Sequence, residues 1–511
     1  MENNRDSTTR SPWQNALAGL EKQGALHDHT QYEVMIIGAG ITGITTALLL
    51  QQQGKRCVIL EGHNIGYGTT GGTTAHINTF FDSTYPEIES DFSQDAATLV
   101  AQAGKQAIEK IRSLVETHQI ECDLESKTGY LFSQDQKQTK QLEEIFQASK
   151  RAGVEVSETH QNGVPLKFQK SLAFTGQAQF HPLKYIKALA EEFVRLGGII
   201  LENTFIREIK TEDHIHIAST GNSEFKADHL VWATHVPPGV NQFSFRCAPY
   251  RSYVLGIRLK DGAYPKDMAY DMQEPYHYFR THKIEGEDIL ILGGADHKTG
   301  HSDPEAAFAE LEEYAHKIFD IESIPYRWSS QYYVPVDGLP YIGPMNAVEE
   351  NIYVATGFNG NGMTWGTISA QVICDAILDK QNPYTEIFKP SRMKPVAGFT
   401  EFIKENADVA YHFITDRFRT KDMDSVSEIQ LGEGKVIDYQ GEKMAVYKDE
   451  NGVITTLHPT CTHAGCTVLF NAAEKSWDCP CHGGRFDLQG KVISGPPRKD
   501  LPPVEFKGQE K

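Results

Sequence analysis

The sequence predicts a mixed α/β protein that ends in a small all-β unit, and three observations carry that prediction. First, a short, almost wholly apolar run, Tyr32-Glu33-Val34-Met35-Ile36-Ile37, empties into the glycine turn Gly38-Ala39-Gly40-Ile41-Thr42-Gly43. A helix follows, with Ile44, Ala47, Leu48 and Leu50 inward, and then a second apolar run, Cys57-Val58-Ile59-Leu60. Runs that are apolar at nearly every position belong to strands buried on both faces, as in parallel sheets. Second, helical and strand patterns alternate from there to about residue 385. Third, from Val426 the chain changes to short strands and turns, including Asp449-Glu450-Asn451-Gly452, a hairpin signal.

Length and charge bound the function. The 511 residues are too many for one ordinary domain, and 40% hydrophobic content with 10% aromatics supports sizeable cores. A formal charge of −19 argues against nucleic acid and anionic membrane surfaces, both of which need a basic face. No apolar run is long enough to span a bilayer, and the start, MENNRDSTTRSPWQNALAGL, has no apolar signal core. The cytoplasm is therefore the expected compartment, with Cys57, Cys122, Cys247 and Cys374 as reduced, packed thiols.

The first unit has the strand, glycine turn, helix, strand and acid of a dinucleotide site. Gly38 makes the tight turn, Gly40 admits a pyrophosphate, Gly43 lets helix and strand pack, and Glu61 can accept from a ribose hydroxyl. That much does not separate NAD from FAD. Further stretches do. Gly66-Tyr67-Gly68-Thr69-Thr70-Gly71-Gly72-Thr73-Thr74-Ala75 is a small-residue loop, suited to close approach by a pyrophosphate and a flat ring. Asp337-Gly338-Leu339-Pro340-Tyr341-Ile342-Gly343 precedes the strand Ile352-Tyr353-Val354-Ala355-Thr356. That strand enters Gly357-Phe358-Asn359-Gly360-Asn361-Gly362-Met363-Thr364 and a helix running to about Leu378. His181-Pro182 opens another helix, closed by Gly197-Gly198, with strands expected at Ile199–Leu201, Phe205–Ile209 and Leu230–Thr234.

Together these stretches resemble the D-amino-acid-oxidase-like flavoproteins, the family of glycine, sarcosine and D-amino-acid oxidases. The resemblance implies FAD, with Thr69, Thr70, Thr73 and Thr74 along it and Ile206 against the adenine through its backbone. Ala233 and Thr234 would lie beneath the dinucleotide, and Gly357, Phe358, Gly360, Gly362, Met363 and Thr364 would cradle the flavin ring at a helix N-terminus. Where some relatives tether FAD through a histidine, this chain has Gly72, so dissociable FAD is expected despite the nearby His76.

A substrate domain is expected from the intervening segments. In Tyr276-His277-Tyr278-Phe279-Arg280, alternation puts Tyr276, Tyr278 and Arg280 on one strand face. An arginine flanked by tyrosines suits a substrate carboxylate, and amino-acid oxidases of the family use such a group. A structural ion pair is the alternative. Arg251 and Tyr253 are secondary candidates for the same wall. No catalytic base stands out, and positioning of a neutral amine for hydride transfer can suffice.

The last unit contains CTHAGC and CPCHGG. Cys461, His463, Cys479 and His482 offer two thiolates and two imidazoles, a set that tetrahedral zinc and one kind of iron–sulfur cluster both accept. The full pattern resembles the Rieske [2Fe–2S] motif of the respiratory type. This implies that Cys461 and Cys479 hold one iron, His463 and His482 the other, and that Cys466 and Cys481 form a disulfide. Gly495-Pro496-Pro497 matches the family's proline loop. Two departures matter: where high-potential relatives have a serine and a tyrosine that hydrogen-bond the cluster, this chain has Gly484 and Phe486.

The expected organisation is an arm over 1–30, a discontinuous Rossmann-like FAD-binding domain (31–80, 150–240, 336–385), and an interleaved α+β substrate domain (81–149, 241–335). A linker with an amphipathic helix, Glu401–Thr420, spans 386–425, and the all-β Rieske domain spans 426–511. The expected function is oxidation of a small amine or amino acid by FAD. Electrons would pass singly through the cluster, by exposed edges of His463 and His482, to a protein, quinone or oxygen. Reverse flow from cluster to flavin, and a redox sensor, are the alternatives.

Overall fold

The computed structural model describes residues 9–17, 31–345, 350–392, 421–422 and 428–505. The amphipathic helix expected at 401–420 lies outside the described residues. Gln31–Ile37 sits centrally in the first sheet, whose order is Tyr341–Pro344, Ile352–Thr356, Glu224–Trp232, Gln31–Ile37, Cys57–Leu60, Ile199–Leu201. All neighbours from Ile352–Thr356 to Ile199–Leu201 pair in parallel. The apolar runs of the sequence are thus strands covered on both faces, and the helices Ile41–Gln52, Pro182–Arg195 and Gly362–Ile377 pack here. Gly38 has φ +109°, and a Cβ on Gly43 would stand 1.9 Å from the Gly38 carbonyl oxygen, so only glycine lets this helix start so close to its strand. The strand expected at Phe205–Ile209 begins only at Glu208.

The second sheet runs Ile321–Pro335, Cys247–Leu259, Glu287–Lys298, Tyr278–Ile284, Met268–Asp271, Glu125–Ser133, Lys170–Gln179, His76–Ile77, with Val156–Thr159 on the Lys170–Gln179 edge. This corrects the expected division. Lys170–Gln179, assigned to the FAD-binding domain, pairs with Glu125–Ser133 in the substrate sheet, and Val156–Thr159 pairs with Lys170–Gln179 in turn. Conversely, the long helix Gln94–Thr117 packs against Gly362–Ile377 rather than covering that sheet.

The C-terminal unit is two four-stranded sheets, one of them Leu469–Asn471, Ser476–Asp478, Arg485–Phe486 and Val492–Ser494. It is clamped to the rest. Arg251 of the substrate sheet reaches both oxygens of Glu474, at 2.7 and 2.6 Å, with side chains only 2% and 0% exposed. Arg485 pairs with the same Glu474 and, at 3.0 Å, with Asp478. The other expected roles of Arg251 and Tyr253 are therefore corrected: Arg251 is an inter-unit clamp and Tyr253, fully buried, faces His297 at 3.3 Å. A second set of contacts joins Gly239 N–H to the Pro496 carbonyl (2.9 Å) and Arg498 to the Pro238 carbonyl (2.8 Å). Among the described residues no helix is long and apolar enough to cross a membrane.

Candidate active site

One cavity of about 660 Å³ runs between the two sheets. Two helix starts open onto it. Ile41–Gln52 begins after Gly40 and Gly362–Ile377 begins after Asn361, neither capped by its own N-cap side chain, and Gly40, Ile41, Thr42, Gly362 and Met363 all line the space. Ile41 N–H donates to Thr70 Oγ1 at 3.1 Å, and the two N-termini on one cavity suit a pyrophosphate and the electron-rich edge of a reduced flavin. Glu61 accepts from Ala39 N–H (2.7 Å) and His63 N–H (2.8 Å), which fixes its carboxylate on the wall with lone pairs left for a ribose. Desolvation raises its pKa to about 6. Gly38, Thr69, Thr70, Thr73, Thr74, Ile206, Ala233, Thr234, Phe358 and Gly360 also line the cavity, so the residues present fit FAD.

Three expected cofactor residues lie off that wall. Gly43 serves the helix–strand packing, Gly357 makes a turn at φ +74° against Pro335, and the buried Thr364 hydroxyl bonds the Asn78 carbonyl at 3.1 Å.

At the other end, Tyr276 and Tyr278 line the cavity. Arg280 does not, which corrects its expected role. Its guanidinium is fully buried and donates to the carbonyls of Thr74 (2.7 Å), Ala75 (2.8 Å) and Phe180. The strand enters the core after Tyr278, so alternation carries Arg280 beneath the glycine loop, where desolvation lowers its pKa to about 9. Here it holds the loop's shape. The cavity face is instead built from Asp82, Ser252, Asp296 and Tyr332 together with the two tyrosines.

The cluster loops come together in the C-terminal unit. Cys461 and Cys479 are buried, free and in contact, while Cys466 and Cys481 form a disulfide. The His463 and His482 rings lie 4.8 Å apart, and both Nδ1 atoms are buried without a partner. Two thiols and two unpartnered imidazole nitrogens in one pocket fit a [2Fe–2S] centre. The Cys466, Cys479 and Cys481 sulfurs also lie within 4.8 Å of one another, but two are closed in the disulfide.

Of the two histidine edges expected to be exposed, that of His463 is half-buried and that of His482 is not exposed. His482 is 6% exposed, because the loop tip faces the flavin unit: Tyr333 donates to the His482 carbonyl (3.1 Å) and Gln331 to that of Gly483 (2.9 Å). The Tyr333 ring meets His235 edge-on at 4.7 Å, and His235 lines the flavin cavity beside Thr69, 3.3 Å away. His235 is held at φ +71°, a strained conformation for a non-glycine residue. Ile493, Ser494, Gly495 and Pro497 of the cluster unit form part of the same cavity wall.

Comparison with known proteins agrees with this geometry. The FAD dependent oxidoreductase family matches residues 33–376. The chain belongs to that family. A Rieske [2Fe-2S] domain matches residues 420–505, so this FAD-dependent oxidoreductase carries its cluster domain in the same chain. A Bacillus subtilis protein named as a Rieske 2Fe-2S iron-sulfur protein, YhfW, is 37% identical over 94% of this chain and 95% of its own. Gamma-glutamylputrescine oxidoreductase of Escherichia coli is 23% identical over 69% of this chain and 85% of its own. Glycine oxidase from Geobacillus kaustophilus shares the fold, with a TM-score of 0.59 and 17% identity over 71% of this chain and 99% of its own.

Two substitutions in this oxidoreductase bear on its cluster. Phe486 is fully buried, and a Cβ on Gly484 would stand 2.6 Å from Pro497, so neither position has room or a side-chain hydroxyl for donation to a cluster. Missing side-chain donors would disfavour the reduced, more negative state, so a potential below the high end of the range of about −150 to +300 mV is expected. Phe486→Tyr is expected to raise the midpoint potential in an EPR-monitored redox titration. An unchanged potential would show that the position does not control the cluster, and a fall would overturn the hydrogen-bond argument.

Proposed function

We propose that this FAD-dependent oxidoreductase oxidises a small amine at its CH–NH group and relays the electrons singly through its own Rieske centre to an acceptor. When bound, FAD supplies the hydride acceptor and the [2Fe–2S] cluster a one-electron carrier. The observation that carries the reading is the continuous contact from His482 through Tyr333 to His235 on the cavity wall. Tyr333 and Gln331 hold the cluster loop against the flavin unit, and Thr69 ties His235 to the glycine loop. His235 stays neutral, because burial lowers its pKa to about 4. Phe245, 47% exposed and 6.5 Å ring to ring from His482, marks the side from which an acceptor can approach. That acceptor is a redox protein, a quinone or oxygen. The E. coli relative named as a gamma-glutamylputrescine oxidoreductase supports an amine substrate. We place the enzyme in the cytoplasm with non-covalent FAD. This fits four buried free thiols and the glycine at position 72.

The test is anaerobic mixing of the holoprotein with amines and amino acids while flavin absorbance and the Rieske EPR signal are followed together. Flavin bleaching followed by a rising cluster signal is the expected result. If dithionite reduces both centres but no CH–NH compound bleaches the flavin, the reading is wrong and reverse flow or sensing takes its place.

A further inference from the structure

The substrate end of the cavity has an unusual charge balance. Among the described residues lining the whole cavity none is Lys or Arg, whereas Asp82, Asp271 and Asp296 are on its wall and the exposed Glu87, Glu144 and Glu274 are also part of it. Asp271 is already matched: His277 pairs with it at 2.8 Å and Tyr314 donates to it at 2.8 Å. The other two aspartates have no cation. Asp296 accepts from Ser252 and, at 2.8 Å, from Tyr332, and Ser252 in turn shares a 2.7 Å hydrogen bond with Tyr278. Asp82 accepts from Tyr276 (3.1 Å) and from Gly360 N–H (2.6 Å), and is otherwise open to the cavity.

Each oxygen of these carboxylates keeps lone-pair capacity for a further donor. Desolvation raises both pKa values, that of Asp296 to about 7, and Asp82 and Asp296 raise Asp296 and Tyr276 further through their charges. His277 acts weakly the other way on Asp296. Partly desolvated carboxylates facing a cavity, ringed by hydroxyl donors and phenol rings, complement an ammonium group and repel a carboxylate.

We infer that the cavity selects a small aliphatic amine without an α-carboxylate, with one of Asp296 and Asp82 holding a distal ammonium group as its counter-ion and the other taking the proton from the amine whose C–H gives up hydride, so that a diamine binds best. This rests on the amine-oxidation reading and narrows it: α-amino acids, whose carboxylate finds no Lys or Arg on the described cavity wall, are excluded.

The test uses full-length holoprotein and a matched pair, 1,4-diaminobutane and ornithine, which differ only by the α-carboxylate. Anaerobic flavin reduction is expected to be about 10- to 100-fold more efficient with the diamine, the worth of a charge-assisted hydrogen bond. Asp296→Asn should remove a similar factor for the diamine. Binding of tert-butylammonium, which keeps its N–H donors but has no α C–H to oxidise, followed by perturbation of the oxidised flavin spectrum, should strengthen as pH rises through about 7 in the wild type, and Asp296→Asn should abolish that dependence. Equal or faster reduction by ornithine or another α-amino acid overturns the inference and leaves the relay reading standing. If no CH–NH compound reduces the flavin, the relay reading fails instead, and the binding arm still decides: perturbation by tert-butylammonium supports the cation site, and no perturbation by it, or perturbation by acetate alone, overturns it. The wild-type comparisons need no variant to fold.

Discussion

Glu474→Gln is expected to destabilise the protein by about 3–5 kcal/mol, the cost of leaving buried charge without its partner. Glu474 is fully buried and meets both Arg251 and Arg485, so its loss leaves two buried guanidiniums facing one remaining carboxylate, Asp478. Arg251 belongs to the substrate sheet and Arg485 to the cluster sheet, so the substitution weakens the seam between the units as well as the cluster unit itself. Thermal unfolding should show a lower midpoint, and rapid mixing with substrate should show flavin reduction at its normal rate followed by slowed cluster reduction. Unchanged stability would mean that water reaches this seam. Acid should act in the same direction. Desolvation pushes the Asp478 carboxyl up, but the Arg485 and Arg251 charges outweigh it and hold it below its ordinary value. A group lowered in the folded state contributes stability above the usual carboxylate range, and that stability is lost as pH falls through the folded value.

Cys479→Ser is expected to abolish the Rieske EPR signal while FAD remains bound. A Rieske centre would need both thiolates on one iron, and Cys479 touches Cys461 in the pocket where His463 and His482 keep their Nδ1 atoms unpartnered. Metal binding stabilises the folds that contain it. Here the Cys466–Cys481 disulfide, the Glu474 network and the buried core around Trp477 remain to hold the unit in place. Substrate should therefore still bleach the flavin, whereas turnover with a one-electron acceptor should fall to background. Undiminished turnover with such an acceptor would show that electrons leave the flavin directly and would sink the relay.

Much of this was legible in the sequence, for physical reasons that differ from place to place. The glycine turn and the cluster loops are local: steric demands such as Gly43 against the Gly38 carbonyl are met by residues near in the chain, so they leave compact signatures. The substrate end is different. Asp82, Ser252, Asp296 and Tyr332 come from separate segments, and none has a neighbour in sequence that marks it. Strand alternation placed Tyr276 and Tyr278 correctly on the cavity but could not show that the strand enters the core before Arg280. The assignment of 156–179 failed because a strand's own pattern does not say which of two sheets it joins. Nothing in CPCHGG indicated that its tip faces inward; that depends on Tyr333 and Gln331, some 150 residues earlier.

The stretch Ile493–Pro497 belongs to the cluster unit yet closes part of the flavin cavity. The two halves are consequently not interchangeable cassettes. A Rieske unit transplanted from another protein could bring an intact cluster and still leave the flavin cleft open along one side. A substitution in this stretch answers to the needs of two cofactors at once, so the fusion is written into the architecture of the flavin site as well as into the continuity of the chain.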